Sequence, residues 1–175
     1  MKYLLLIVLA SCLVFAGYAP PAYAFKDMDM AELQKKADAG DAEAQTQLGV
    51  AYAKGTGVEI NQQEAAKWYH KAADQGYANA QWNLAFRYVR GEGVKKDNET
   101  AVRYFRLAAE QGYPPAEYDL GMMYLQGLGV QRSRTTAIDW IVKASNHGYK
   151  EADAFLKSRG IEKTTTKKAP EAAAK

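Results

Sequence analysis

"YAKGTGVEI", Tyr52 to Ile60, fits either a nucleotide-binding loop or a plain turn. Two glycines one residue apart follow a helix-like segment, as in a loop that cradles phosphate. The dinucleotide fingerprint, however, needs a third glycine three residues beyond the second, and a strand before the loop. Ile60 stands at that offset, and no Gly-Lys-Ser/Thr follows. The stretch also recurs, as "YVRGEGVKK" from Tyr88 to Lys96 and "YLQGLGVQR" from Tyr124 to Arg132, so that Gly55, Gly91 and Gly127 lie 36 residues apart. A loop that returns at a fixed period is scaffold punctuation rather than an active site.

The same period runs outward in both directions. Gly40, Gly76, Gly112 and Gly148 keep it, as do Ala44, Ala80, Ala116 and Ala152, and Leu48, Leu84, Leu120 and Leu156. So do Tyr52, Tyr88 and Tyr124; Val58, Val94 and Val130; Ala65, Ala101 and Ala137; Trp68, Tyr104 and Trp140; and Ala72, Ala108 and Ala144. Within a unit, Ala44, Leu48 and Tyr52 share one helix face. Ala65, Trp68, Tyr69, Ala72 and Ala73 form the apolar stripe of a second helix. Asn61, Asp97 and Ser133 stand at the N-cap of that second helix. Asn61 with Glu64 has the form of a capping box. The glycines after each helix suit left-handed caps. The second glycine of each pair is expected to let the chain reverse so that the following valine tucks inward. Alanine columns let helices approach closely, and the recurring aromatics Trp68, Tyr104, Trp140, Tyr52, Tyr88 and Tyr124 are expected in the core.

This pattern resembles the Sel1-like repeat, a relative of the tetratricopeptide repeat. The matching stretches are "AQTQLGVAYAKGTGVEINQQEAAKWYHKAADQGY" from Ala44, "AQWNLAFRYVRGEGVKKDNETAVRYFRLAAEQGY" from Ala80 and "AEYDLGMMYLQGLGVQRSRTTAIDWIVKASNHGY" from Ala116. The resemblance covers Gly40 to Tyr149, with Ala85 and Ile141 as departures. It implies an all-α fold, a right-handed α-solenoid of helix-turn-helix repeats with a 36-residue period. The expected organisation is an N-terminal capping helix at 25–39, repeats at 40–75, 76–111 and 112–147, and a C-terminal capping helix at 148–160. That makes eight helices, with polar outer faces on the two at the ends.

The chain ends read differently from this centre. Residues 1–24 have one lysine, an apolar run from Leu4 to Ala16 and a closing Ala22-Tyr23-Ala24, the order of a secretory signal peptide cleaved after Ala24. A rival is "LASC", Leu9 to Cys12, which resembles a bacterial lipobox. A membrane association is expected only if Cys12 is lipidated. The expected location is periplasmic or secreted. Cys12 is the only cysteine among 175 residues, so cleavage would leave a chain with no disulfide, held by packing alone. Residues 161–175 are Lys, Thr and Ala with few large apolar groups, and are read as a disordered tail. The whole chain has 23 Lys and Arg against 20 Asp and Glu. Lys2 is the only one of these before position 25, so the balance gives no footprint for nucleic acid.

Chemistry needs a constellation, and none is legible. His70 and His147 stand in columns of mixed type and are expected to face solvent. There is no His-x-x-x-His pair and no Gly-x-Ser-x-Gly. The sequence therefore predicts no enzyme, no cofactor and no metal. Some cysteine-rich relatives are reported as β-lactamases, but they carry a cysteine pair per repeat.

What remains is a surface. In tetratricopeptide relatives the first helix of each repeat lines the concave face. By that resemblance the lining positions are Glu43, Thr46, Val50, Ala53 and Lys54 in the first repeat. In the second they are Asn79, Trp82, Phe86, Val89 and Arg90, and in the third Tyr118, Met122, Leu125 and Gln126. Two fates are open to the apolar ones. They form an exposed patch that marks an interaction site, or curvature buries them against neighbouring first helices. The functional expectation is a monomeric adaptor that binds a protein or extended peptide through Trp82, Phe86, Tyr118 and Met122, with Arg90 and Lys54 as polar anchors. A cell-wall glycan binder and a hydrolase such as a β-lactamase are the alternatives.

Overall fold

The computed structural model of the protein describes residues 22–162. The expected leader up to position 21, Cys12 included, and the tail beyond position 162 lie outside them. Eight helices and no strands make up the described residues: α1 (Ala22–Asp38), α2 (Ala42–Lys54), α3 (Gln62–Asp74), α4 (Ala78–Arg90), α5 (Asn98–Glu110), α6 (Pro114–Gln126), α7 (Arg134–Asn146) and α8 (Lys150–Ser158). Each helix packs on the next along the chain, which is the contact pattern of a solenoid. The six inner helices have 13 residues each, so the layers match in length and the repeat stacks without overhang.

The caps explain where each helix begins and ends. The side chains of Asn61, Asp97 and Ser133 accept backbone N–H bonds at the starts of α3, α5 and α7. The capping box is only half made. Asn61 Oδ1 accepts from Glu64 N at 3.0 Å, whereas the Asn61 N–H donates to the Tyr52 carbonyl at 2.9 Å. Asp97 and Ser133 repeat that bond to the carbonyls of Tyr88 and Tyr124. The reciprocal Glu64 bond is superfluous because the loop's own backbone already takes the donor.

The paired glycines do more than reverse the chain. A Cβ on Gly93 would lie 1.9 Å from the Gln62 carbonyl oxygen, and one on Gly129 would lie 2.3 Å from that of Asn98. The paired-glycine loops of the second and third repeats therefore rest backbone-to-backbone on the start of the second helix of the preceding repeat. Val58, Val94 and Val130 are half-buried rather than fully tucked in.

The alanine and leucine columns form the core. Leu48, Leu84, Leu120 and Leu156 are buried, as are Ala72, Ala108 and Ala144. Trp68 and Tyr104 join them, but Trp140 and the three tyrosines Tyr52, Tyr88 and Tyr124 are only half-buried. These four still pack on the core but stay partly open to solvent at its margin. There, Arg106 Nη2 donates to the Tyr124 hydroxyl at 2.7 Å, and Lys143 Nζ sits 3.9 Å above the Trp140 ring. A ring with a polar or cationic neighbour gains from partial exposure.

Candidate functional site

The first helices α2, α4, α6 and α8 carry the expected contact positions. None of the four apolar ones is a free surface residue. Trp82 and Phe86 are half-buried and pack on the central core, while Tyr118 and Met122 are half-buried against the C-terminal cluster around Ile141 and Leu156. The two pairs belong to one aromatic run. Trp82 meets Phe86 edge-on at 5.0 Å and Tyr113 at 6.0 Å. Tyr118 meets Tyr149 at 5.5 Å. Arg90 is exposed and lies over Phe86 at 5.6 Å, with Glu92 Oε1 3.8 Å away. Lys54 is exposed at the end of α2, apart from the aromatic run. Thr46 does not line a surface: it is 3% exposed, and its Oγ1 donates to the Ala42 carbonyl at 2.7 Å.

At the centre of the aromatic run stands Asp119, which the sequence reading did not single out. Trp82 Nε1 donates to Asp119 Oδ2 at 2.7 Å, linking α4 to α6. Burial pushes the Asp119 carboxyl up to about 6, and the Trp82 bond works against that rise. The hydroxyls of Tyr118 and Tyr149 are held above their ordinary range by burial first, and then by the charges of Asp119 and Glu151. Tyr113 is raised by burial and by Tyr77. The three tyrosines are thus neutral walls around an acid.

Beside it runs a second polar feature, repeated in every layer. Gln75 Nε2 donates to Gln45 Oε1 at 2.7 Å, and Gln111 Nε2 to Gln81 Oε1 at 2.8 Å. Gln45 and Gln81 in turn donate to the carbonyls of Ala37 and Ala73. In the third layer the same positions hold Glu117 and His147, with His147 Nδ1 2.8 Å from Glu117 Oε2. The carboxylate accepts, so Nδ1 carries the proton. His147 is half-exposed as expected, but its partner is 2% exposed. His70 departs from the solvent-facing expectation. It is half-buried between Tyr88 and Tyr104, its Nε2 lies 3.1 Å from the Tyr88 hydroxyl, and burial lowers its pKa. The ladder had a signal in sequence: columns 45/81/117 and 75/111/147 change together.

No group of three or more His, Cys, Asp or Glu among the described residues is placed to hold a metal. A cavity of about 690 Å³ opens between α1 and α2, lined in part by Met30, Leu33 and Val50. It lies at the opposite end of the solenoid from Asp119.

The Sel1 repeat family model matches residues 42–77, 78–113 and 114–149, three consecutive units on the 36-residue period.

The chain belongs to the Sel1 repeat family.

Among solved structures, it is similar to a Sel1 repeat protein from Oxalobacter formigenes, with 36% identity and a TM-score of 0.69 over 78% of this chain and 58% of that one. It is also similar to c5321, a protective antigen of uropathogenic Escherichia coli, with 36% identity and a TM-score of 0.72 over 77% of this chain and 30% of that one. The chain thus spans less than two thirds of either protein. Helicobacter pylori cysteine rich protein B shares the fold at 20% identity and a TM-score of 0.62, covering 78% of this chain and 98% of that one. No curated protein matches the chain. Sel1 repeat proteins generally act as protein-interaction scaffolds.

Proposed function

We propose that this Sel1 repeat protein is an exported adaptor that holds an extended peptide or protein segment along the face made by its first helices. The observation that carries the reading is the aromatic run Phe86–Trp82–Tyr113 with Tyr118–Tyr149. It is half-buried and half-open, whereas Leu84, Leu120 and the alanine columns bear the packing. Rigid aromatic rings that keep one edge in water are the groups that most often anchor a partner. In this reading Trp82, Phe86, Tyr118 and Met122 make the contacts, and Arg90 and Lys54 anchor carbonyls or a carboxylate at the rim. The chain acts as a monomer without a cofactor and catalyses no reaction. Its leader, cleaved after Ala24, delivers it to the periplasm or beyond.

A photo-crosslinking residue placed at Val89 or Leu125, on the first-helix face, tests this in the native envelope. The comparison sites are Lys67 and Leu107 on second helices, both exposed. Adducts to one protein from Val89 and Leu125 alone are expected. Equal adducts from all four sites, or none from the first two, would overturn the reading.

A further inference from the structure

Three columns of the repeat carry polar side chains into or beside the first-helix face, and the third repeat changes all three. Gln45 and Gln81 give way to Glu117, Gln75 and Gln111 to His147, and Gln47 and Asn83 to Asp119. Two amides have thus become acids. The first acid is matched within the chain, since His147 sits against Glu117 at 2.8 Å. The second is not. Asp119 takes one neutral hydrogen bond, from Trp82 Nε1, and no cation among the described residues pairs with it. In the second repeat the equivalent Asn83 satisfies itself on Asn79, through bonds of 2.9 and 2.7 Å. Asp119 cannot do that, because a carboxylate only accepts.

A carboxylate held among rings with no counter-charge is destabilised as an ion, in keeping with the raised Asp119 pKa. The surrounding rings are those that attract cations: Trp82, Tyr113, Tyr118 and Tyr149, all partly open to solvent. A flat or extended cation placed there meets a carboxylate oxygen among aromatic rings, and both attractions strengthen as water leaves. We propose that the nest around Asp119, walled by Trp82, Tyr113, Tyr118 and Tyr149, receives a basic side chain, arginine or lysine, of the bound peptide. This rests on the peptide-binding reading of the same face. It assigns that partner one chemical requirement, a positive charge opposite Asp119 on α6. Arg90 and Lys54 then serve other points along the segment, since neither approaches Asp119.

The probes are acetyl-Ala-Arg-Ala-amide and its citrulline counterpart, which keeps the shape and removes the charge. The full-length protein is labelled with nitrogen-15, and the indole N–H resonance of Trp82 is followed during titration. The arginine peptide is expected to shift it saturably, and the citrulline peptide to bind at least about tenfold more weakly, a difference of about 1.4 kcal/mol. Asp119→Asn should abolish that preference while the remaining amide spectrum stays folded. Three outcomes overturn the proposal: equal shifts from both peptides, an arginine preference that survives in Asp119→Asn, or no saturable shift up to about 10 mM, well above a millimolar dissociation constant. Face-specific crosslinks from Val89 and Leu125 alongside any of these would leave the peptide reading standing with an uncharged partner. Loss of those crosslinks would remove both.

Discussion

Asp119→Asn is expected to stabilise the protein at neutral pH, and by an amount that grows with pH. The Asp119 carboxyl has a pKa of about 6 in the folded protein against 3.8 in its reference state. A raised folded-state pKa means that the folded chain binds the proton more tightly than the unfolded chain. The native state therefore keeps its full stability below the unfolded value and loses some as pH rises through the folded one. Two pKa units at about 1.4 kcal/mol each give about 3 kcal/mol at most, and partial exposure of the side chain brings this to about 2 kcal/mol. Asparagine carries no charge, and its Oδ1 can still accept from Trp82 Nε1. The facing tyrosines Tyr113, Tyr118 and Tyr149 have raised pKa values, so they stay neutral throughout. Glu151, which acts on Tyr118 and Tyr149, is common to both proteins. Urea unfolding of both proteins at about pH 3.5 and pH 7.5, read as free energies, should show the advantage of the variant widening by about 2 kcal/mol between the two. Parallel pH profiles would mean instead that Asp119 ionises as freely folded as unfolded.

Further outcomes follow from the other features. Gly93→Ala should destabilise more than Gly112→Ala. Both positions have a left-handed φ costing about 1–2 kcal/mol for alanine, but only at Gly93 would the new Cβ press on a carbonyl, at 1.9 Å against 3.7 Å to the His147 ring; equal shifts in urea midpoint would contradict the seam. His147→Ala strips the buried Glu117 of its donor and should cost about 1–3 kcal/mol. The double variant Glu117→Gln/His147→Gln rebuilds the rung seen in the first two layers and should return to within about 1 kcal/mol of the parent, again by urea unfolding. Export should yield a chain whose intact mass begins at Phe25. A lipid-modified species beginning at Cys12 would overturn the leader reading.

Much of the architecture is written in one dimension because a solenoid repeats locally. Each helix needs only its neighbours in sequence, so period, cap residues and apolar stripes suffice to mark eight helices and their turns. Leu48, Leu84, Leu120 and Leu156 are legible as core because the same environment is offered four times. Asn61, Asp97 and Ser133 are legible as caps because capping is a contact over two or three residues. The Sel1 family could be read for the same reason, from columns within the chain itself.

Contacts between layers lie beyond that reach. The seating of Gly93 on Gln62, where an added Cβ would lie 1.9 Å from the carbonyl oxygen, and the bond from Trp82 to Asp119 span 31 and 37 residues, and each depends on how one repeat is rotated on the last. The columns mark Gly93 as a turn, but only stacking shows that its missing side chain is what lets two repeats close. Likewise, periodicity places Trp82 on the first-helix face without deciding whether it is buried or open, and the tertiary structure makes it both. Periodicity sets which residues repeat and therefore which helices form. How the repeats stack sets which exceptions to the repeat meet: Glu117 with His147, where a ring nitrogen sits against the carboxylate, and Asp119 with a ring of aromatics, where no counter-charge comes from the described residues. Local periodicity encodes a helix, but the partner of a buried charge is set by side chains a full repeat away.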